Sequence, residues 1–170
     1  IKQLFQCEAD VFLLSTGTAA NALGLSVLCP PYGSIYCHSK AHIEVDECGG
    51  PEFYTGGAKL ALLPDRGGKI MADDLAKALK NQHGEVHHVK PAVVSLSQIG
   101  ETGAVYSIDE IKAISNIAHK HGMRVHMDGA RFANAVVALG CSAAEISCKA
   151  GVDILSFGAS KNGAFAAEAV

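Results

Sequence analysis

Two apolar runs, Arg124-Val125-His126-Met127 and Asp153-Ile154-Leu155-Ser156-Phe157, constrain the fold of this chain more than any other feature. Each has the length of a buried strand, and the segment between them is long enough for a helix. The first runs into Asp128-Gly129-Ala130-Arg131 and the second into Gly158-Ala159-Ser160-Lys161-Asn162-Gly163. Strands joined through a helical crossover pair in parallel, whereas antiparallel neighbours need only a tight turn. Open α/β sheets bind ligands just outside the carboxyl ends of their strands. Asp128 and Lys161 are therefore predicted to face one site.

The same alternation runs through the rest of the chain. Val11-Phe12-Leu13-Leu14 reads as a buried strand, Ser15-Thr16-Gly17-Thr18 as a turn, and the apolar spacing from Ala19 to Leu28 as a helix stopped before Pro30-Pro31-Tyr32-Gly33. Ser34 to Cys37 is the next strand, and an acidic helical segment with Glu44, Asp46 and Glu47 is expected to stop at Gly49-Gly50-Pro51. Further strands are predicted at Lys59 to Leu63 and Ala92 to Ser97, and helices at Ala72 to Lys80 and Ser107 to His121. Ser107 followed three residues later by Glu110 forms a capping box. A short helix is expected over Ser142 to Ala150. The whole predicts one α/β domain over residues 1–170, a three-layer sandwich around a mostly parallel sheet.

Composition excludes several classes. Basic and acidic residues number 14 and 17, a net of −3, and no Lys/Arg run could track a nucleic acid or an anionic membrane. No apolar stretch approaches the roughly 18 residues that span a bilayer, and no signal peptide pattern is present. The six cysteines lack CxxC pairs and read as reduced thiols. A cytoplasmic or organelle-matrix protein is expected. The chain begins without Met in what reads as a helix tail and ends at Glu168-Ala169-Val170 in an apparent strand, so an internal piece of a longer protein is expected.

The candidate chemistry lies at the strand ends. Thr16, Gly17 and Thr18 lie between a strand and a helix, where free N–H groups and the helix dipole suit a phosphate; a plain capped turn is the alternative. A lysine such as Lys161 forms Schiff bases with carbonyls, and with pyridoxal phosphate an Asp such as Asp128 pairs with the pyridine nitrogen. Arg131 has the planar fork that matches a carboxylate, or else makes a helix-surface salt bridge. His126 precedes Asp128 by two, so on a strand both face the same way and His126 could orient the carboxylate. His38 and His42, four apart on an expected helix, with Cys37 supply too few ligands for zinc, and no metal is assigned. Gln98 to Thr102 is candidate site lining, and His83, His87 and His88 read as a solvated loop without chemistry.

Three stretches carry a resemblance. They are Cys37-His38-Ser39-Lys40-Ala41-His42-Ile43-Glu44-Val45-Asp46-Glu47-Cys48-Gly49, His126-Met127-Asp128-Gly129-Ala130-Arg131 and Ser156-Phe157-Gly158-Ala159-Ser160-Lys161-Asn162-Gly163. With the turn from Ser15 to Asn21 and the loop from Ser97 to Gly103 in order, the chain closely resembles the L-threonine aldolases of the low-specificity type. These belong to the β-eliminating lyase group of fold-type I pyridoxal phosphate enzymes.

That resemblance implies the aspartate aminotransferase-like large domain over residues 1–170, incomplete at both ends and without the small C-terminal domain. It implies retro-aldol cleavage of L-threonine or L-allo-threonine to glycine and acetaldehyde, with pyridoxal 5'-phosphate held by Lys161. It carries Thr16, Gly17 and Thr18 over to the phosphate, His42 to stacking on the ring, and Asp128 to the pyridine nitrogen. Arg131 goes to the substrate carboxylate or the cofactor's phenolic oxygen, and Glu47 to the neighbourhood of the β-hydroxyl. Gly100-Glu101-Thr102 stands where some threonine aldolases have a second histidine. A homo-oligomer, dimer or tetramer, is implied too. Phenylserine aldolase, another β-eliminating lyase and an inactive cofactor-binding fragment are the alternatives, and these 170 residues alone are expected to turn over little.

Overall fold

A computed structural model describes residues 1–81 and 86–170. A short helix α1 (Lys2–Phe5) leads to β1 (Leu13–Leu14), α2 (Gly17–Leu28), β2 (Gly33–His38), α3 (His42–Val45), α4 (Gly50–Tyr54) and β3 (Lys59–Leu63). Then follow α5 (Ala72–Lys80), β4 (Lys90–Ser97), α6 (Ile108–Lys120), β5 (Arg124–Gly129), α7 (Phe132–Leu139), β6 (Ile154–Gly158) and β7 (Glu168–Ala169). The seven strands form one sheet in the order β1-β7-β6-β5-β4-β2-β3. Strands β2 to β6 pair in parallel, and β7 runs antiparallel to both β6 and β1. The expected α/β class is the observed one.

Helices cover both faces of the sheet, as expected where parallel strands are joined by helical crossovers. On one face α5 and α6 bury Leu75, Leu79, Ile111, Ile114 and Ala118 against Val94, Leu96, Val125 and Met127. The capping box starts α6 as expected: the Ser107 hydroxyl accepts from the Glu110 amide and the Glu110 carboxylate accepts from the Ser107 amide. On the other face α2 lies very close to the sheet. A Cβ at Gly24 would come within 2.9 Å of Ile154 and 3.4 Å of the His126 ring, so only glycine allows that approach.

Several sequence expectations give way here. Val11 to Leu14 is not buried: β1 is two residues long at the sheet's edge, and Leu13 is 84% exposed. An apolar run reports preference for burial, and an edge position denies it a second covering layer. Gly49-Gly50-Pro51 does not end a helix but opens α4, where proline's fixed φ and missing N–H suit the first turn. His38 ends β2 and His42 begins α3, so the two share no helix. Ser142 to Ala150 is turns closed by one 3-10 turn, Cys148–Ala150. His83 of the polar histidine loop lies outside the described residues.

Candidate active site

The carboxyl ends of β2, β5 and β6 lie on one edge of the sheet, and the first turn of α2 joins them there. Thr16 caps α2, its hydroxyl oxygen accepting from the Ala19 amide at 3.1 Å. The preceding amides, of Gly17 and Thr18, have no intrahelical acceptor. One turn further along α2, Asn21 points into the site, 2% exposed. Its amide nitrogen donates to Glu47 Oε1 at 2.8 Å and to Asp128 Oδ2 at 3.0 Å. Glu47 Oε1 also lies 2.8 Å from His42 Nδ1. A chain His42, Glu47, Asn21, Asp128 thus runs from the start of α3 to the end of β5.

The other Asp128 oxygen accepts from the Ala130 amide at 3.0 Å. Burial pushes the Glu47 carboxyl above its usual range, the Asn21 and His42 hydrogen bonds pull it back, and the Asp128 charge pushes it up again. Within this cluster of four side chains, Asn21 Oδ1 and Glu47 Oε2 are buried without a partner. His126 faces the same way as Asp128, as strand alternation predicts, but its ring nitrogens bond to Ser95 Oγ at 2.9 Å and Ser156 Oγ at 3.0 Å. Complete burial pushes its pKa down to about 4 against the pull of Asp128, so the ring is neutral.

Arg131 stands just before the first residue of α7 and pairs through Nη1 with Glu101 Oε1 at 3.1 Å, each side chain about a third exposed. Glu101 belongs to the loop after β4, whose base is clamped by Gln98: the buried amide bonds both the carbonyl and the amide of Tyr106. Gln98 is therefore a loop brace, while Glu101 borders the site. Lys161 lies in a 3-10 turn, Ser160–Asn162, directly after β6. Its side chain is exposed and makes no hydrogen bond or ion pair among the described residues. In the sheet Asp128 is in register with Ser156, five positions before Lys161.

Among the described residues, one ligand atom each of His42, Glu47 and Asp128 lie within 4.8 Å of one another. The Asn21 amide bonds two of the three, so a hydrogen-bond donor stands where a cation would have to sit. Asn21 is the site residue that sequence reasoning passed over. The available signal was a polar residue on the buried stripe of an otherwise apolar helix. An apolar cavity of about 630 Å³ opens elsewhere, beneath α2 near Phe5, Phe12, Leu23, Val27 and Val170, and none of these site residues lines it.

The donor set fits a flat, anionic, nitrogen-containing group: amides at a helix start for a phosphate, a buried carboxylate for a ring nitrogen, an imidazole beside it and a free amine. Pyridoxal phosphate is such a group, and the fold is that of the fold-type I pyridoxal phosphate enzymes: the serine palmitoyltransferase of Sphingomonas wittichii superposes with a TM-score of 0.68 at 20% identity, over 99% of this chain and 39% of that one. The beta-eliminating lyase family model matches residues 1–170, and the chain belongs to that pyridoxal phosphate-dependent family. It is 49% identical over 170 residues to the low specificity L-threonine aldolase of Pseudomonas aeruginosa, covering 99% of this chain and 49% of that protein. The structure of a Leishmania major threonine aldolase superposes with a TM-score of 0.91 at 30% identity, over 99% of this chain and 48% of that one. The chain spans about half the length of these relatives.

Proposed function

We propose that this chain forms the large, cofactor-binding domain of an aldolase that cleaves L-threonine or L-allo-threonine to glycine and acetaldehyde. The observation that carries the reading is the buried Asp128 carboxylate, held on both oxygens at the end of β5, beside β6 and the 3-10 turn after it that carries the unpaired Lys161. When bound, pyridoxal phosphate supplies an electron sink for the pair released as the Cα–Cβ bond breaks. The rest falls to the protein. The Gly17 and Thr18 amides would hold the phosphate, and Asp128 would keep the ring nitrogen protonated. Lys161, with no competing ion pair among the described residues, would provide the amine that holds the cofactor.

His42, its Nδ1 anchored on Glu47, would be the imidazole that stacks on the cofactor. The Glu47 carboxyl, which burial raises above its usual range, would then stand close to the β-hydroxyl as a group able to exchange its proton. Arg131 takes the substrate carboxylate, exchanging Glu101 for it. We also propose a cytoplasmic homo-oligomer, dimer or tetramer. Six unpaired cysteines suit a reducing compartment. Phe53 and Tyr54, 77% and 65% exposed and stacked edge to face on α4, suit a protein interface. No helix among the described residues is long and apolar enough to cross a membrane.

The test is acetaldehyde release from L-threonine, L-allo-threonine and phenylserine (benzaldehyde), with cofactor binding followed by visible absorbance. Lys161→Ala should abolish the lysine-linked band and lower turnover by about a thousandfold or more. Cofactor binding that ignores Lys161, or aldehyde from phenylserine alone, would overturn the reading.

A further inference from the structure

Asn21 occupies the buried side of α2 between Ala20, Ala22, Gly24 and Leu25, where packing alone calls for an apolar residue. Its amide nitrogen has two hydrogens, and the bonds to Glu47 Oε1 and Asp128 Oδ2 use both. Turning the amide round would set its carbonyl oxygen against two carboxyl oxygens, so one orientation is strongly favoured. The cost of that orientation is visible: Oδ1 is buried without a partner. A buried polar atom left unsatisfied costs about 1–3 kcal/mol, so the arrangement is not explained by stability.

We propose that Asn21 is a positioning residue that ties the Asp128 carboxylate to the Glu47 carboxyl, one amide hydrogen to each, and fixes both to the helix whose first turn binds the phosphate. The inference rests on the proposed cofactor site and assigns a further residue to it. With the Ala130 amide on Oδ1 and Asn21 on Oδ2, the Asp128 carboxylate cannot swing about its own axis. Asn21 lies five positions after the Thr16 cap, little more than one helical turn, so phosphate turn and ring-nitrogen partner are referenced to one rigid element. A misplacement of about 1 Å at such a centre costs on the order of a hundredfold in rate.

The same bond decides where Glu47 carries its proton. Three groups face this carboxyl: His42 from α3, Asn21 from α2 and Asp128 from β5. His42 and Asn21 both bond to Oε1, so the proton belongs on Oε2, the buried oxygen without a partner. Asn21 thereby turns any proton that Glu47 takes up away from Asp128 and His42.

The experiment is a carbon-13 titration of the Glu47 carboxyl in the full 170-residue chain without cofactor, assigned with Glu47→Gln, beside the dissociation constant for pyridoxal phosphate. In Asn21→Leu, similar in size and without donors, the Glu47 midpoint should rise by about one pH unit and cofactor affinity should fall about tenfold. Asn21→Asp keeps the shape and replaces a donor by an acceptor, and should move both in the same direction; it serves as the comparison if Asn21→Leu does not fold. An unmoved Glu47 midpoint in either folded variant overturns the proposal. If the unsubstituted chain binds no cofactor, the functional reading fails, and the Glu47 titration still decides the role of Asn21.

Discussion

The two faces of the sheet are built from different chemistry. Under α5 and α6 the core is continuous and apolar, closed at one end by Phe5, Phe132 and Phe157 with ring centroids 5.7 to 5.8 Å apart. Under α2 the same strands β4, β5 and β6 turn Ser95, His126, Asp128 and Ser156 toward a helix that answers with Asn21. A smaller apolar cluster, with Leu25, Ile35, Cys37, Ile43 and Val93, is confined to the β2 side of that face. One face therefore carries the stability of the domain, and the other gives up apolar packing to hold polar groups in fixed positions. A sheet with two covered faces can divide the work in this way because period-2 alternation sends neighbouring residues of one strand to opposite sides.

The division can be broken first on the apolar face. Ile114 is 1% exposed, on the inward stripe of α6. Ile114→Ala should destabilise the domain by about 2–5 kcal/mol in chemical denaturation, from lost transfer energy plus the cavity left behind. The folded fraction should bind pyridoxal phosphate as tightly as before. A drop in both would show that the faces are coupled through the strands rather than divided.

His126 sharpens the contrast from the polar side. Its folded pKa, about 4, lies below the ordinary histidine value of about 6.5, so the unfolded chain binds more protons between those values. The sign follows: stability is fully present above about pH 6.5 and is lost as pH falls toward 4, by about 3 kcal/mol in total. Thermal unfolding from pH 7 to 4 should show that loss, and His126→Gln, which keeps polar atoms between Ser95 and Ser156 without titrating, should flatten it. An equal acid slope in His126→Gln would place the sensitive group elsewhere.

The apolar face was readable from sequence and the polar one only in part, for a physical reason. Periodicity registers burial, so α5 over Ala72–Lys80 and the inward stripe of α6 stand out as residue spacing. Capping likewise follows from residue type, as Ser107 and Glu110 illustrate. Asp128, Lys161, His42 and Glu47 were singled out because their types suit one chemistry and the surrounding motifs match a family. Asn21 and the Glu101–Arg131 pair depend on side chains 26 to 107 positions apart meeting in space. Local sequence marks Asn21 as a polar residue on a buried stripe, but it does not encode these partners. The exposed β1 fails for the complementary reason: Val11 to Leu14 has the composition of a core strand, and sheet order decides that it lies at the edge.

The smallest expected effect concerns the start of α2. Glu168, on β7, is 9% exposed, and its Oε2 lies 3.9 Å from where a Cβ at Gly17 would stand. A Cβ at Gly158 would meet the same oxygen at 2.6 Å, so glycine there makes room for the carboxylate between β6 and α2. A carboxylate beside the proposed phosphate turn repels a second anion, and across a partly solvated gap that repulsion amounts to about 1 kcal/mol. Glu168→Gln, which keeps size and hydrogen-bonding capacity, should therefore tighten pyridoxal phosphate binding about fivefold and weaken the salt dependence of that binding. Free pyridoxal, which lacks the phosphate, should bind the variant and the parent equally. An equal gain for pyridoxal would mean that the carboxylate acts on the ring end of the site, and that the polar face serves its two ends with one set of charges rather than two.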